Sequence, residues 1–273
     1  MPDSPSHLPS PSGGRILAIA NQKGGVGKTT TAINLATALA ATGASVLLVD
    51  LDPQGNASTG LGLGRGQRQN GTYSLLTDGL DLAKVRRPTQ IPNLSLVPSD
   101  PDLAGAEIEL VGEKRREFRL RDALQATESR TDYTLIDCPP SLGLLTLNGL
   151  AAADAVLVPL QCEFFALEGI SQLIHTIELV RRSLNPALQL HGIVLTMHDR
   201  RNNLSEQVAA DARSYFGDRV YDTVIPRNIR IPEAPSHGRP VLLYDFRSPG
   251  AQAYVRLAGE LLRRERAQPA PVA

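Results

Sequence analysis

The 273 residues are 42% hydrophobic and 21% charged, with 28 basic and 28 acidic side chains and a net charge of zero. These are the proportions of a globular chain able to bury a sizeable core, and no apolar run approaches the ~18 residues of a membrane-spanning helix. Zero net charge does not by itself point to nucleic acid, so any such surface has to be a local arginine patch.

Residues 1–14 are rich in Pro and Ser and have neither a basic start nor an apolar stretch. They do not read as a secretory signal; a disordered tail and a cytoplasmic protein are expected. The apolar run Ile16 to Ala20 then predicts a strand, and Ile33, Leu35, Ala36 and Leu39 recur at helical spacing after it. Between them lies Asn21-Gln22-Lys23-Gly24-Gly25-Val26-Gly27-Lys28-Thr29-Thr30-Thr31. A glycine loop between strand and helix turns backbone N–H groups onto one anion, the helix N-terminus adds partial positive charge, Lys28 adds a full one, and the Thr29 hydroxyl suits magnesium. The strict phosphate-loop pattern fails at one point, because Gln22 stands where it wants glycine. A second lysine, Lys23, follows, in a chain with only four lysines.

Gly43 is placed to cap the helix, and Ala44 to Val49 reads as a strand buried on both faces, ending in Asp50-Leu51-Asp52-Pro53-Gln54-Gly55-Asn56. Carboxylates leaving the C-terminal end of a parallel strand sit where open α/β sheets bind ligands, and beside a phosphate loop they call for a metal or ordered water. Residues 60–72 read as a glycine-rich polar loop. Short elements follow at Tyr73 to Leu76 and Leu94 to Val97, with helical patterns at 102–111 and 114–128. Asp132 to Pro140 then gives an apolar strand ending in Asp137, which fits a Walker B carboxylate holding the metal's water shell opposite Thr29. Strands at Ala155–Leu160, Gly192–Met197 and Val220–Ile225 alternate with helices at Leu167–Ser183 and Leu204–Phe216, and a last helix runs from Gly250 to Arg266. This alternation predicts a single α/β domain, a mostly parallel twisted sheet with helices on both faces. Cys138 and Cys162 are isolated, which suggests neither a zinc motif nor a disulfide framework and favours two buried, inert thiols; the five histidines form no constellation.

The form Lys-Gly-Gly-x-Gly-Lys-Thr resembles the deviant Walker A loop of the ParA/MinD ATPases, which share the P-loop NTPase fold. With Val49 to Asn56, the run to Pro140, and Ile225-Pro226-Arg227-Asn228 continuing to Gly238, it is similar to the ParA/Soj partitioning branch over about residues 15–264. The resemblance implies an ATPase domain at 15–266 between tails at 1–14 and 267–273. It implies ATP and Mg2+ as cofactors and nucleotide contacts from Lys23, Gly24, Gly25, Val26, Gly27, Lys28, Thr29 and Thr30, with Pro226 and Asn228 by the adenine. Thr29, Asp137 and Asp52 would be the metal-side residues, Asp52 would position the attacking water, and Lys23 would reach the nucleotide of the other subunit in an ATP-dependent sandwich homodimer. Non-specific DNA binding and a ParB-type centromere-binding partner that stimulates slow hydrolysis are implied as well, at a cytoplasmic, nucleoid-associated location. Spacing alone does not separate ATP from GTP.

For DNA the late arginines stand at loops or element ends, with Arg201 and Arg230 the first candidates and Arg219 and Arg247 behind them. Neighbouring Asp199, Asp218, Asp222, Glu233 and Asp245 offer the competing reading of simple ion pairs. The alternative function is a MinD-like membrane-cycling regulator of division-site placement using the basic C-terminal helix, which its mixed Arg/Glu end disfavours. A nitrogenase iron-protein relative would need paired cluster-ligating cysteines, and a Rossmann dehydrogenase would need a glycine-only fingerprint.

Overall fold

The computed structural model describes residues 14–127, 130–163 and 166–267, so the expected tails at 1–14 and 267–273 lie, but for residues 14 and 267, outside the described residues. Seven strands form one sheet: β1 Arg15–Ile19, β2 Val46–Asp50, β3 Arg87–Pro88, β4 Leu94–Val97, β5 Tyr133–Asp137, β6 Ala155–Gln161 and β7 Gln189–Thr196. Their spatial order is β3-β4-β2-β5-β1-β6-β7, parallel throughout except for the β3–β4 pair. The α/β architecture expected from the alternation is therefore the observed one.

The apolar residues of the strands alternate between two cores. Leu17, Ile19, Leu48 and Leu135 face one side, where helices Lys28–Ala40 and Pro249–Ala267 cover them. Ala18, Val49, Ile136 and Val158 face the other, under helices Leu103–Glu109, Arg119–Ala126, Leu144–Ala152, Ala166–Ser183 and Asn203–Phe216. A sheet covered twice explains why its strands read as unbroken apolar runs rather than alternating ones. The last helix buries Ala253, Tyr254, Leu257, Ala258 and Leu261, so its apolar stripe is committed to the core.

One expected strand is absent. Among the described residues Val220–Ile225 forms no ladder with β7: one isolated bridge joins Ile193 to Val220, and a second, His198 to Pro226, lies just beyond both segments. The cause is local. Tyr221 N–H and Ile225 N–H donate to the Ile193 and Leu195 carbonyls at 2.8 Å each, but the Asp222 and Thr223 N–H groups between them donate to the Glu260 carboxylate at 2.9 and 2.8 Å. Successive N–H groups of a strand face opposite edges, so after Tyr221 the donor due to β7 is Thr223, and a ladder that gives it up to a side chain cannot run on. The helical pattern at 114–128 resolves into a tight turn at Arg116–Phe118 and helix Arg119–Ala126, and that at 102–111 into helix Leu103–Glu109 and a tight turn at Leu110–Gly112. The element at Tyr73 is a short helix, Thr72–Leu76. The two-residue β3 ends the sheet at a proline, which blunts the edge.

Register decides what meets at the C-terminal edge. Ile19 pairs with Asp137 and Asp137 with Asp50, so the loops leaving β1, β2 and β5 emerge side by side.

Candidate functional site

The loop between β1 and the first helix is held from below and from one side. Asn21 is buried, its Nδ2 donates to the Pro159 carbonyl at 2.7 Å, and its Oδ1 accepts from the Lys23 N–H at 3.0 Å. The Thr196 hydroxyl, at the end of β7, donates to the Val26 carbonyl at 2.8 Å. Gly27 takes φ +88°, a left-handed turn that aims the first N–H groups of helix Lys28–Ala40 into the crevice. No side chain caps that helix and no acidic residue stands in its first turn, so its N-terminal partial charge stays available to an anion.

The two lysines occupy different environments. Lys28 is buried, and its Nζ curls back to the Lys23 carbonyl at 3.0 Å; burial lowers its pKa, while the Asp137 and Asp52 carboxylates act in the opposite sense. Lys23 is exposed at the rim, where its Nζ meets Glu163 Oε2 at 3.0 Å.

The carboxylates also divide. Asp50 is fully buried and accepts from the Ser58 N–H at 2.8 Å, the Ser58 hydroxyl at 2.6 Å and, more weakly, the Asp52 N–H at 3.3 Å. Burial nonetheless pushes its pKa up to about 6. Asp52, two residues on, bends back to accept the Gln54 N–H at 2.9 Å. Asp137 is fully buried, and among the described residues neither of its carboxylate oxygens has a hydrogen-bond partner of normal geometry. Burial first, then Asp50, raises its pKa well above the usual range; the nearby Thr29 hydroxyl pulls it down only in part.

A buried carboxylate without partners is costly unless something cationic completes it. Among the described residues no three His, Cys, Asp or Glu side chains converge to hold a metal by themselves. The residues fit magnesium in the other manner: one hydroxyl, Thr29, and one orphaned carboxylate, Asp137, beside a loop built for phosphate, with phosphate oxygens and water left to fill the shell.

Pro226, the residue expected beside adenine, is bridged to His198 just past the end of β7, the strand that also bonds the loop through Thr196. Asn228 is half-buried and its Oδ1 accepts the Arg230 N–H at 2.9 Å.

The four candidate arginines stand on separate segments. Arg201 lies beyond the C-terminal end of β7, 91% exposed, with Nε 3.1 Å from Asp199 Oδ1. Arg230 pairs with Glu233 at 2.9 Å and Asp245 at 3.4 Å, with exposed Arg247 two residues beyond Asp245. Arg219, also exposed, sits beside Gly192, part-way back along β7.

Sequence reasoning missed Ser58, Glu163, Thr196 and Arg68. Ser58 and Thr196 carry hydroxyls whose partners are fixed only by folding, Glu163 is one charge after an apolar strand, and Arg68 lies inside the stretch read as a polar glycine-rich loop.

Comparison with known proteins agrees with this geometry. A family profile described as "AAA domain" matches residues 14–190. The chain is 62% identical over 261 residues to the chromosome partitioning protein ParA of Caulobacter vibrioides, covering 95% of this chain and 98% of that one. It is 54% identical over 248 residues to the sporulation initiation inhibitor protein Soj of Bacillus subtilis, covering 91% and 98%. A solved structure of Mycobacterium smegmatis described as cobyrinic acid a,c-diamide synthase, with bound ADP and magnesium, superposes with TM-score 0.82 at 39% identity over 93% of this chain and 96% of that one. With these relatives spanning almost the whole chain, and with the loop, the orphaned Asp137 and the second lysine in place, the protein belongs to the ParA/Soj family of P-loop partitioning ATPases.

Proposed function

We propose that the domain at 15–266 is an ATP-driven association switch: with ATP and Mg2+ bound it closes into a sandwich homodimer that holds DNA non-specifically, and hydrolysis, stimulated by a ParB-type partner, releases it. It would act in the cytoplasm on the nucleoid. The N–H groups of residues 24–30 and Lys28 bind the phosphates; Thr29 and Asp137 hold the magnesium, with Asp52 on its water side. The ion, when bound, neutralises charge on the phosphate oxygens. Asp52 accepts a hydrogen bond from the attacking water and orients it in line with the terminal phosphate, while Pro226 and Asn228 border the base. Phosphoryl transfer needs positioning and charge compensation rather than covalent help, so this set of groups suffices.

The observation that carries the reading is the split between the lysines. Lys28 points into its own crevice, whereas Lys23 stands at the rim, its ammonium tied among the described residues to an exposed Glu163 from which little energy is needed to free it. A rim lysine is available to the nucleotide of a second protomer, and contacts made only with the terminal phosphate allow cleavage to undo the dimer. The membrane-cycling alternative finds no support in the last helix, whose apolar stripe is buried, and among the described residues no helix is long and apolar enough to cross a membrane.

The test is sizing and DNA retention of Asp52→Ala and Lys23→Ala with ATP and with ADP, with liposomes as a parallel arm. Asp52→Ala should be trapped as an ATP dimer on DNA. Lys23→Ala should stay monomeric with nucleotide affinity kept within about threefold, since the ammonium it removes serves the partner's nucleotide rather than its own. An Asp52→Ala monomer indifferent to ATP, or ATP-dependent sedimentation with lipid instead of DNA, would overturn the proposal.

A further inference from the structure

Arg68 is a fully charged side chain only 4% exposed, inside a stretch whose sequence looks like solvated loop. A guanidinium is buried only where its fork is occupied. Its Nε and Nη2 both donate to the Leu63 carbonyl, at 3.1 and 3.0 Å, and Nη2 also donates to the Thr59 hydroxyl at 2.5 Å. That hydroxyl donates in turn to the Gly55 carbonyl at 3.1 Å, and the Gly55 N–H donates to the Asp52 carbonyl at 2.8 Å. Nη1 lies against Gly55 itself, where a side chain would stand, and Gly55 takes φ +63°. Burial lowers the pKa of Arg68, with Asp50 acting to raise it.

These hydrogen bonds make a relay that starts at the guanidinium and ends on the backbone of Asp52. The Gly55 carbonyl also accepts the Thr59 N–H at 3.0 Å and the Asp52 carboxylate the Gln54 N–H at 2.9 Å, so the relay adds the hold of the guanidinium to a turn that the backbone closes. We propose that Arg68 is a positioning residue for ATP hydrolysis: it fixes the turn that aims Asp52 and makes no contact with the nucleotide. The inference rests on the reading of Asp52 as the residue that orients water.

Lysine keeps the charge but has no planar fork to serve Leu63 and Thr59 together. Thr59→Val removes the relay's middle link at constant shape, leaving the guanidinium its two bonds to Leu63. The experiment measures ATP turnover at saturating Mg-ATP and the affinity for a fluorescent ATP analogue on the full chain, for wild type, Asp52→Ala, Arg68→Lys and Thr59→Val. Arg68→Lys and Thr59→Val should each lower turnover roughly 10- to 100-fold, the scale of an ångström-sized misplacement, with analogue affinity within about threefold of wild type. A purely structural role would leave turnover unchanged in the folded variants or lower affinity and turnover together, and either result overturns the proposal. If Arg68→Lys fails to fold, Thr59→Val decides by the same criterion. A wild-type rate in Asp52→Ala would overturn the reading of Asp52 and the inference with it; a stalled Asp52→Ala beside a fully active Thr59→Val would overturn the inference alone.

Discussion

The nucleotide edge and the exposed arginines treat charge in opposite ways. At the edge, Lys28, Asp50 and Asp137 are buried, and Asp137 has no hydrogen-bond partner of normal geometry among the described residues. In the exposed loops, Arg201 and Arg230 are already paired with Asp199, Glu233 and Asp245. Buried charges left incomplete are expensive in the empty protein and gain most from a ligand; exposed, compensated charges cost little and respond weakly to any one partner. The first region therefore acts as a binding site whose residues succeed or fail together. The second is a surface whose contribution is the sum of small, salt-sensitive terms.

The largest break in that contrast should come from Lys28→Ala, which deletes the buried cation while leaving the glycine turn intact. Removing a charge-assisted hydrogen bond of ~1.5–3 kcal/mol predicts nucleotide affinity weaker by roughly 10- to 150-fold, measurable by titration with a fluorescent analogue. Because the ammonium also offsets Asp137 and Asp52, the empty variant should melt below wild type.

How far each region could be read beforehand follows the same division. The loop at 21–31 and Asp137 were legible because backbone turns, strand ends and one required residue type leave a spaced pattern in sequence. The doubly covered sheet was legible because strands such as Val46–Asp50 are apolar on both faces. The strand expected at Val220–Ile225 failed because its donors are claimed by Glu260, a residue far along the chain whose helix packs nearby. Arg68 escaped notice for a similar reason: composition marks residues 60–72 as loop, and nothing local says that the fold closes over one of its guanidinium groups. Charge partnerships are long-range, so the arginines could be named but not grouped, and Arg219 proves to lie apart from Arg201.

A second, smaller effect sharpens the claim that the nucleotide edge is strained when empty. Asp137 has a folded pKa raised by burial, so its folded form binds a proton more tightly than the unfolded chain does. Stability linked to it is present in full below the unfolded value and is lost as pH rises through the folded one. Asp50, pushed up to about 6, adds a loss of the same sign. Asp137→Asn removes the charge and breaks no hydrogen bond of normal geometry. The empty variant should melt higher than wild type at pH 8, by on the order of 1 kcal/mol or about 2–4 °C, and the advantage should shrink as pH is lowered to 5. Adding Mg-ATP should reverse the order at pH 8, because only the wild-type carboxylate can then be completed. Thermal melts at both pH values, with and without nucleotide, check each part.

The smallest single effects belong to the arginines, and salt dependence is the measurement that resolves them. If Arg201 and Arg230 neutralise phosphates in the ATP dimer, Arg201→Ala with Arg230→Ala leaves up to two phosphates per protomer without a cation. The slope of log affinity against log salt should fall by about 0.9 for each phosphate so exposed, while ATP binding is unchanged. Arg219→Ala tests the grouping: placed part-way back along β7, away from the loop that carries Arg201, it should leave the slope where it was. Asp199→Asn tests the compensation itself. In the free protein Asp199 holds Arg201 by Nε and Nη2 at 3.1 Å each, and a guanidinium that moves to a phosphate must leave it. An exposed pair of this kind is weak, so removing its charge should tighten DNA binding by about 1.5- to 5-fold. Unchanged or weaker binding by Asp199→Asn would mean that Arg201 stays with its aspartate, and DNA binding would then have to be carried by Arg230 and Arg247.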